Sequence, residues 1–258
     1  SLQQPLTKAF LEFGAVDCIV NFAAESHVDR SIRDSMPFIE SNVKGTVNLL
    51  ELVKTGFAKK MVQVSTDEVY GSIKNGSWNE DSPLIPNSPY AASKASADLL
   101  ARSYFKTFGL DVITTRCCNN YGPYQHHEKL IPQLISRILQ DESLPIYGNG
   151  LNVREWIHVS DHARAIGLIA VKGTGGDVYN IGSSEEFTNL EIANKLLSLV
   201  PTSNSKITFV KDRLGHDFRY SVDSQKVREL GFTCSVSFDE GIQMTADWYL
   251  ENKGFWGK

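Results

Sequence analysis

The feature that most constrains this chain is a repeated pattern: a short, nearly continuous apolar run ends in a polar cluster, and an apolar stripe of helical period follows. Val16 to Phe22 is such a run, closing on the small residues Ala23 and Ala24. An unbroken apolar run of this length reads as a strand covered on both faces, which is the habit of parallel sheets. Ile39, Val43, Val47, Leu50 and Val53 then recur at helical spacing, with Gly56 placed to stop the helix. Lys60 to Thr66 is a second strand. Pro89 opens a helix carrying Leu99, Phe105 and Phe108 that Gly109 ends, and Asp111 to Cys117 is a third strand. Strands and helices alternating in this way predict an α/β chain with a doubly wound parallel sheet, Rossmann-like.

The second half is mixed. Leu130, Ile131, Leu134, Ile135, Ile138 and Leu139 form a helical stripe, and Leu144 to Tyr147 and Arg154 to Val159 read as short strands flanking a Gly-Asn-Gly turn. Asp161 opens a helix, Asp177 to Ile181 is a strand, and Asn189–Leu199, Ser224–Leu230 and Phe238–Tyr249 read as helices. The expected division is a first domain over 1–121, to which 155–181 returns, and a smaller mixed α/β domain over 122–258. A formal charge of −4 gives no electrostatic reason to expect a nucleic-acid partner. Apolar runs of a handful of residues fall far short of a membrane span. The four cysteines lack zinc-ligand spacing. A soluble, cytoplasmic protein is expected.

Chemistry gathers at the strand ends. Tyr90 and Lys94, four residues apart, share one face of their helix. An ammonium beside a phenol favours phenolate and makes the Tyr a usable base, although such a pair is also a common surface arrangement. Asp67 and Glu68 follow the second strand, where ligands of open α/β sheets bind. Adjacent carboxyls in a cleft share a proton and so divide into acid and base; on a solvated loop they would do neither. Ser26 and His27 follow the first strand and Asn119 and Asn120 the third, so three polar clusters point to one site. Arg154, Arg213, His216 and Arg219 are candidates for phosphate, since a guanidinium forms paired hydrogen bonds to its oxygens. His158 and His162 have metal-ligand spacing, but Ser160-Asp161 between them reads as a helix start, and no metal is expected. A serine-hydrolase elbow is not present in the sequence.

These motifs resemble the extended short-chain dehydrogenase/reductase family, and within it the nucleotide-sugar 4,6-dehydratases. The resemblance runs along essentially the whole chain and rests on the segments 23–31, 65–71, 88–96, 119–125, 128–132, 144–148 and 213–216. Tyr-x-x-x-Lys marks only the superfamily; Thr66-Asp67-Glu68 marks the dehydratases, and Arg213-Leu-Gly-His216 adds to it. It implies NAD as cofactor and the conversion of dTDP-glucose to its 4-keto-6-deoxy derivative. Oxidation at carbon 4 is followed by loss of water across carbons 5 and 6 and return of hydride to carbon 6. In that scheme Tyr90, activated by Lys94, deprotonates the 4-hydroxyl, Thr66 hydrogen-bonds the sugar, Glu68 takes the carbon-5 proton and Asp67 protonates the leaving hydroxyl. NAD contacts fall on Phe22, Ala23, Ala24, Glu25, Ser26, Ser41, Tyr90, Lys94 and Asn120. Contacts to the nucleotide sugar fall on Ser26, the Thr66–Glu68 turn, Asn119, Lys129, the strand residues Pro145, Ile146 and Tyr147, then Arg154, Asn189, Asp212, Arg213 and His216. A homodimer built on the helices near Ile39–Val53 and Ala91–Phe108 is implied as well. The chain departs from the pattern at His127, where the family has Pro, and in carrying no glycine-rich dinucleotide loop. It reads as beginning partway into a fold, within a helix bearing Leu6, Phe10 and Leu11, as a fragment with weakened cofactor affinity. Three alternatives stay open: an epimerase, which has no use for the acid pair; a dehydratase for a UDP- or CDP-linked sugar; and a binding module without catalysis.

Overall fold

The computed structural model describes residues 14–200 and 204–255, so the helix expected at Leu6–Leu11 lies outside the described residues. Four strands, β1 (Val16–Asn21), β2 (Ala58–Thr66), β3 (Asp111–Cys117) and β7 (Val178–Ile181), form one sheet in the order β1-β2-β3-β7, every pair parallel. Alternation along the strands explains the double winding, because successive side chains point to opposite faces. Met61 and Val112 pack with Leu49, Leu50, Val53 and Ala101 on the side of helices 45–54 and 89–108. Their neighbours Ile113 and Ile181 pack with Ile166 and Ile169 of helix 159–172 on the other. Register brings Thr66 opposite Cys117 and Cys117 opposite Ile181, so the strands end level and their following residues meet at one sheet edge.

The helix expected near Ile39–Val53 is not uniform. A short turn over Met36–Phe38 leads into a π-helical stretch, Ile39–Lys44, before the α-helix Gly45–Lys54. The wider stretch holds Asn42, 2% exposed, whose side chain accepts from Glu25 N at 2.8 Å and donates to Glu25 O at 2.9 Å and Ser93 Oγ at 2.8 Å. One amide therefore clamps the segment after β1 to helix 89–108, a use that irregular helical turns often have near functional sites.

The remaining strands are β4 (Asn119–Tyr121), β5 (Leu144–Tyr147), β6 (Val153–His158), β8 (Glu186–Thr188) and β9 (Ile207–Val210). The two strands around Gly-Asn-Gly do not pair with each other. β5 runs parallel to β9, whereas β6 lies between parallel β4 and antiparallel β8. Gly148 and Gly150, at φ +57° and +74°, turn the chain out of one small sheet and into the other. The stripe Ile131, Leu134, Ile135 and Ile138 closes a core with Leu144, Ile146, Trp156, Leu196, Ile242 and Tyr249. Among the described residues no helix is long and apolar enough to cross a membrane.

Candidate active site

Thr66, the last residue of β2, caps a single 3-10 turn, Asp67–Tyr70, its hydroxyl accepting from Glu68 N. Gly71 ends that turn at φ +78°, and a Cβ there would run into the Ile85 carbonyl, so the position needs glycine. The acid pair is thus fixed by a cap before it and a left-handed stop after it. Helix 89–108 begins equally firmly. Ser88 accepts from Ala91 N at 3.1 Å, Pro89 fills the first turn, and Tyr90 N donates to Ser31 Oγ at 3.1 Å.

Tyr90 and Lys94 stand one turn apart on the buried face of that helix, but Lys94 Nζ turns to the Val64 carbonyl, 2.6 Å away. Burial pulls Lys94 down to about 8, with Asp98 acting in the opposite sense. Tyr90 is not lowered as the ammonium–phenol argument expects. Burial raises it first and the Glu68 charge second, while the Thr66 hydroxyl works against both. The physical reason is that burial and the charges of Glu68, Asp67 and Asp98 all disfavour the phenolate, while the ammonium is held on the β2 backbone.

The carboxyls differ. Asp67 is raised well above the usual range, first by burial and then by Glu68. Its Oδ1 accepts from Thr66 Oγ1 at 3.1 Å, and its buried Oδ2 has no hydrogen-bond partner. Burial also raises Glu68, but Arg154, Arg213 and Lys129 all pull it back. Both carboxyls are thus raised, Asp67 the more strongly, so Asp67 is the better proton donor of the pair and Glu68 the readier acceptor.

Two cavities meet at Glu68. One, of ≈ 180 Å³, takes in Asn119, Lys129, Tyr147, Arg154, Asn189, Arg213 and His216 of the expected substrate set. The other, of ≈ 210 Å³, takes in Thr66, Asp67, Tyr90 and Asn120. Ser26, Glu68, Asn119 and Lys129 belong to both walls. Lys94 is held on Val64 of the second wall, Ile146 is buried in the hydrophobic core, and Asp212 reaches the first cavity by accepting from His216 Nδ1 at 2.7 Å. Phe22, Ala23, Ala24, Glu25, Ser41 and Pro145 are not brought into either wall; Phe22 is 58% exposed, its ring edge-on to His162. Arg219 is taken up by Glu186, at 2.7 and 2.6 Å, and so is not a free phosphate ligand. His158 caps helix 159–172 with its Nδ1.

Several wall residues lie outside the expected site set. Tyr220 lies 4.3 Å under the Arg154 guanidinium, and Arg154 donates to the Val153 and Asp217 carbonyls at 2.7 and 2.9 Å, which fixes its plane. Glu128 pairs with Arg30 and lines the first cavity. Cys117 and His162 line the second. Against the effect of burial, Cys118, the His162 ring and the Asn120 amide pull the Cys117 thiol down to about 5. Asn120 Oδ1 is buried without a hydrogen-bond partner, which leaves an acceptor in that cavity for an amide donor such as a nicotinamide carboxamide.

A doubly wound parallel sheet, a Tyr-x-x-x-Lys helix and a carboxyl pair on one cleft define an oxidoreductase-type fold of the extended short-chain dehydrogenase/reductase kind. Residues 3–245 match the family model described as GDP-mannose 4,6 dehydratase, and the chain belongs to that family. It is 50% identical over 241 residues to a dTDP-glucose 4,6-dehydratase of Streptomyces niveus, covering 93% of this chain and 72% of that one. Among solved structures, the dTDP-glucose 4,6-dehydratase DesIV of Streptomyces venezuelae, a double mutant with NAD bound, is 51% identical. It superposes with a TM-score of 0.96 over 100% of this chain and 80% of that one. A UDP-glucose 4-epimerase of Thermus thermophilus in complex with NAD shares the fold at a TM-score of 0.91. Its identity is 28%, over 97% of this chain and 83% of that one.

Proposed function

We propose that this chain is an NAD-dependent dTDP-glucose 4,6-dehydratase that forms dTDP-4-keto-6-deoxyglucose. The observation that carries the reading is the pair Asp67 and Glu68 at the junction of the two cavities, both raised by burial, Asp67 well above its usual range and Glu68 with three cations opposing the rise. An epimerase has no use for that pair. Residues 1–121 with 155–181 serve the cofactor and 122–258 mainly the nucleotide sugar.

When bound, NAD supplies the acceptor for hydride from carbon 4 and the donor that returns it to carbon 6, and its oxidised ring adds positive charge to the cavity. Asn120, Lys94 and Tyr90, with the Phe22–Ser26 segment and Ser41, are the residues that would hold it. Tyr90 takes the proton of the 4-hydroxyl while Thr66 hydrogen-bonds beside it. The resulting ketone acidifies the neighbouring carbon-5 proton, which Glu68 removes and gives back to carbon 5 once carbon 6 has received hydride. Asp67 passes its proton to the departing 6-hydroxyl, so one water leaves. Arg154 and Arg213 neutralise the diphosphate, and guanidinium forks suit that task.

The chain is further proposed to work in the cytoplasm as a homodimer. Met36, Ile39, Leu99 and Phe108, all exposed on the segments implicated in pairing, support a covered apolar face there. The test of the activity is mass spectrometry of dTDP-glucose incubated with the chain and NAD. Loss of one water without net NADH is expected; an unchanged mass, or a sugar epimerised without loss of water, overturns it.

A further inference from the structure

Helix 89–108 carries a third buried titratable group that the chemistry above does not use. Asp98 stands one turn beyond Lys94, 2% exposed, and its Oδ2 accepts from Arg116 Nε at 3.0 Å. Arg116 comes from β3, and its Nη1 donates to the Tyr70 hydroxyl at 2.8 Å and to the Glu80 carbonyl at 3.3 Å. Tyr70 in turn donates to Asn180 Oδ1 at 2.8 Å. Neither Asp98 nor Arg116 lines either of the two cavities described above. An ion pair buried this deeply is a poor way to gain stability, since apolar side chains of the same volume often do as well or better. Its placement one helical turn from the Lys94 ammonium suggests a different task.

We propose that Asp98 and Arg116 are positioning residues that keep Lys94 in its ammonium form, Asp98 serving as the shared counter-charge of the two cations. The inference rests on the dehydratase reading of Tyr90 and Lys94. Around Lys94, its own helix contributes Tyr90 and Asp98, each one turn away and buried, and β2 contributes the Val64 carbonyl that holds Nζ. The residues buried on helix 28–33 and the π-helical stretch are Val28, Ser31 and Asn42, all neutral. Of the charged groups, Asp98 is the one that raises Lys94 against its burial. Asp98 is itself raised by burial and drawn back by Arg116, Ser65 and Lys94, so Arg116 helps keep the carboxylate charged. An Asp98→Asn change would remove the counter-charge and leave the Arg116 guanidinium without its carboxylate partner.

The experiment is a ¹³C NMR titration of the lysine ε-methylenes in the full chain, the Lys94 resonance being the one missing in Lys94→Arg, together with the pH profile of water loss from dTDP-glucose. In Asp98→Asn the Lys94 titration and the alkaline limb of the rate are expected to move down together by about one pH unit, with about a twofold fall in rate at pH 7 and nearly a tenfold fall at pH 9. Asp98→Glu should restore both. Asp98→Asn with Arg116→Met removes both charges and should titrate between wild type and Asp98→Asn. That double variant decides the matter alone if the single one does not fold. An unmoved Lys94 titration in folded protein overturns the inference. Absence of water loss in the wild-type chain would instead overturn the dehydratase reading, and the NMR titration would still decide the role of Asp98.

Discussion

Asp67 and Glu68 are consecutive residues of one 3-10 turn, yet only Glu68 looks toward cations. Lys129, Arg154 and Arg213 reach Glu68 from three separate segments, whereas the one favourable partner of Asp67 is the neutral Thr66 hydroxyl. A 3-10 turn sends neighbouring side chains in different directions, and here that separates an acid from a base within two residues.

Glu68→Gln should therefore stop elimination while sparing the first oxidation. Loss of a positioned base costs about 10²–10⁴ in rate. Mass spectrometry should show almost no dehydrated product, and absorbance near 340 nm should build up on the enzyme as the reduced cofactor waits. Unimpaired water loss in this variant would remove Glu68 from the mechanism.

Asp67→Asn should trade activity for stability. The folded-state pKa of Asp67 lies above its unfolded value, so the native state binds the proton more tightly and stability falls as pH rises above the unfolded value near 3.8. An amide carries no such penalty. The variant should melt above the wild type at pH 8 and together with it below about pH 4, where both states of the carboxyl are protonated. Turnover should fall by about 10²–10⁴. Equal melting temperatures at both pH values would show that Asp67 is not held neutral.

Arg213→Ala should act on binding. Arg213 Nε is buried without a hydrogen-bond partner and lies 4.0 Å from Asp29 Oδ1, so its donor is available to an anion. A charged hydrogen bond is worth about 1.5–3 kcal/mol, or roughly a 10- to 150-fold rise in KM for the nucleotide sugar, with a smaller effect on kcat. Lysine should restore only part of it, because an ammonium cannot reproduce the fork. A selective loss of kcat would move Arg213 from binding into the chemistry.

Much of this was legible along the chain because the physics is local. Asp111–Cys117 is a strand as read, and Pro89–Phe108 is a helix bounded by Ser88, Pro89 and Gly109, each of which acts through its own backbone. β4 and β8 escaped because three residues give no period to read, and β9 because its pairing with β5 depends on a distant segment. Tyr220 and Glu128 escaped for a related reason. The partners that give them a role, Arg154 and Arg30, arrive only when the chain returns. Helical spacing brought Lys94 near Tyr90, but the direction of its amine was decided by the Val64 carbonyl on another element.

Leu99→Glu should dissociate the proposed dimer. Helix 89–108 buries Tyr90, Ala91, Lys94, Ala95, Asp98 and Ala101 on one side, which leaves Leu99 56% exposed. Phe108, 48% exposed, has Tyr104 edge-on and Lys54 over its ring, so it is held in place toward the same open surface. A carboxylate at residue 99 costs nothing to a face in water but leaves two buried, mutually repelling charges if a second copy packs there. Analytical ultracentrifugation at micromolar concentration should give a dimer for the wild type and a monomer for the variant, with unchanged far-UV circular dichroism in both. A dimer that survives the substitution would put the interface elsewhere.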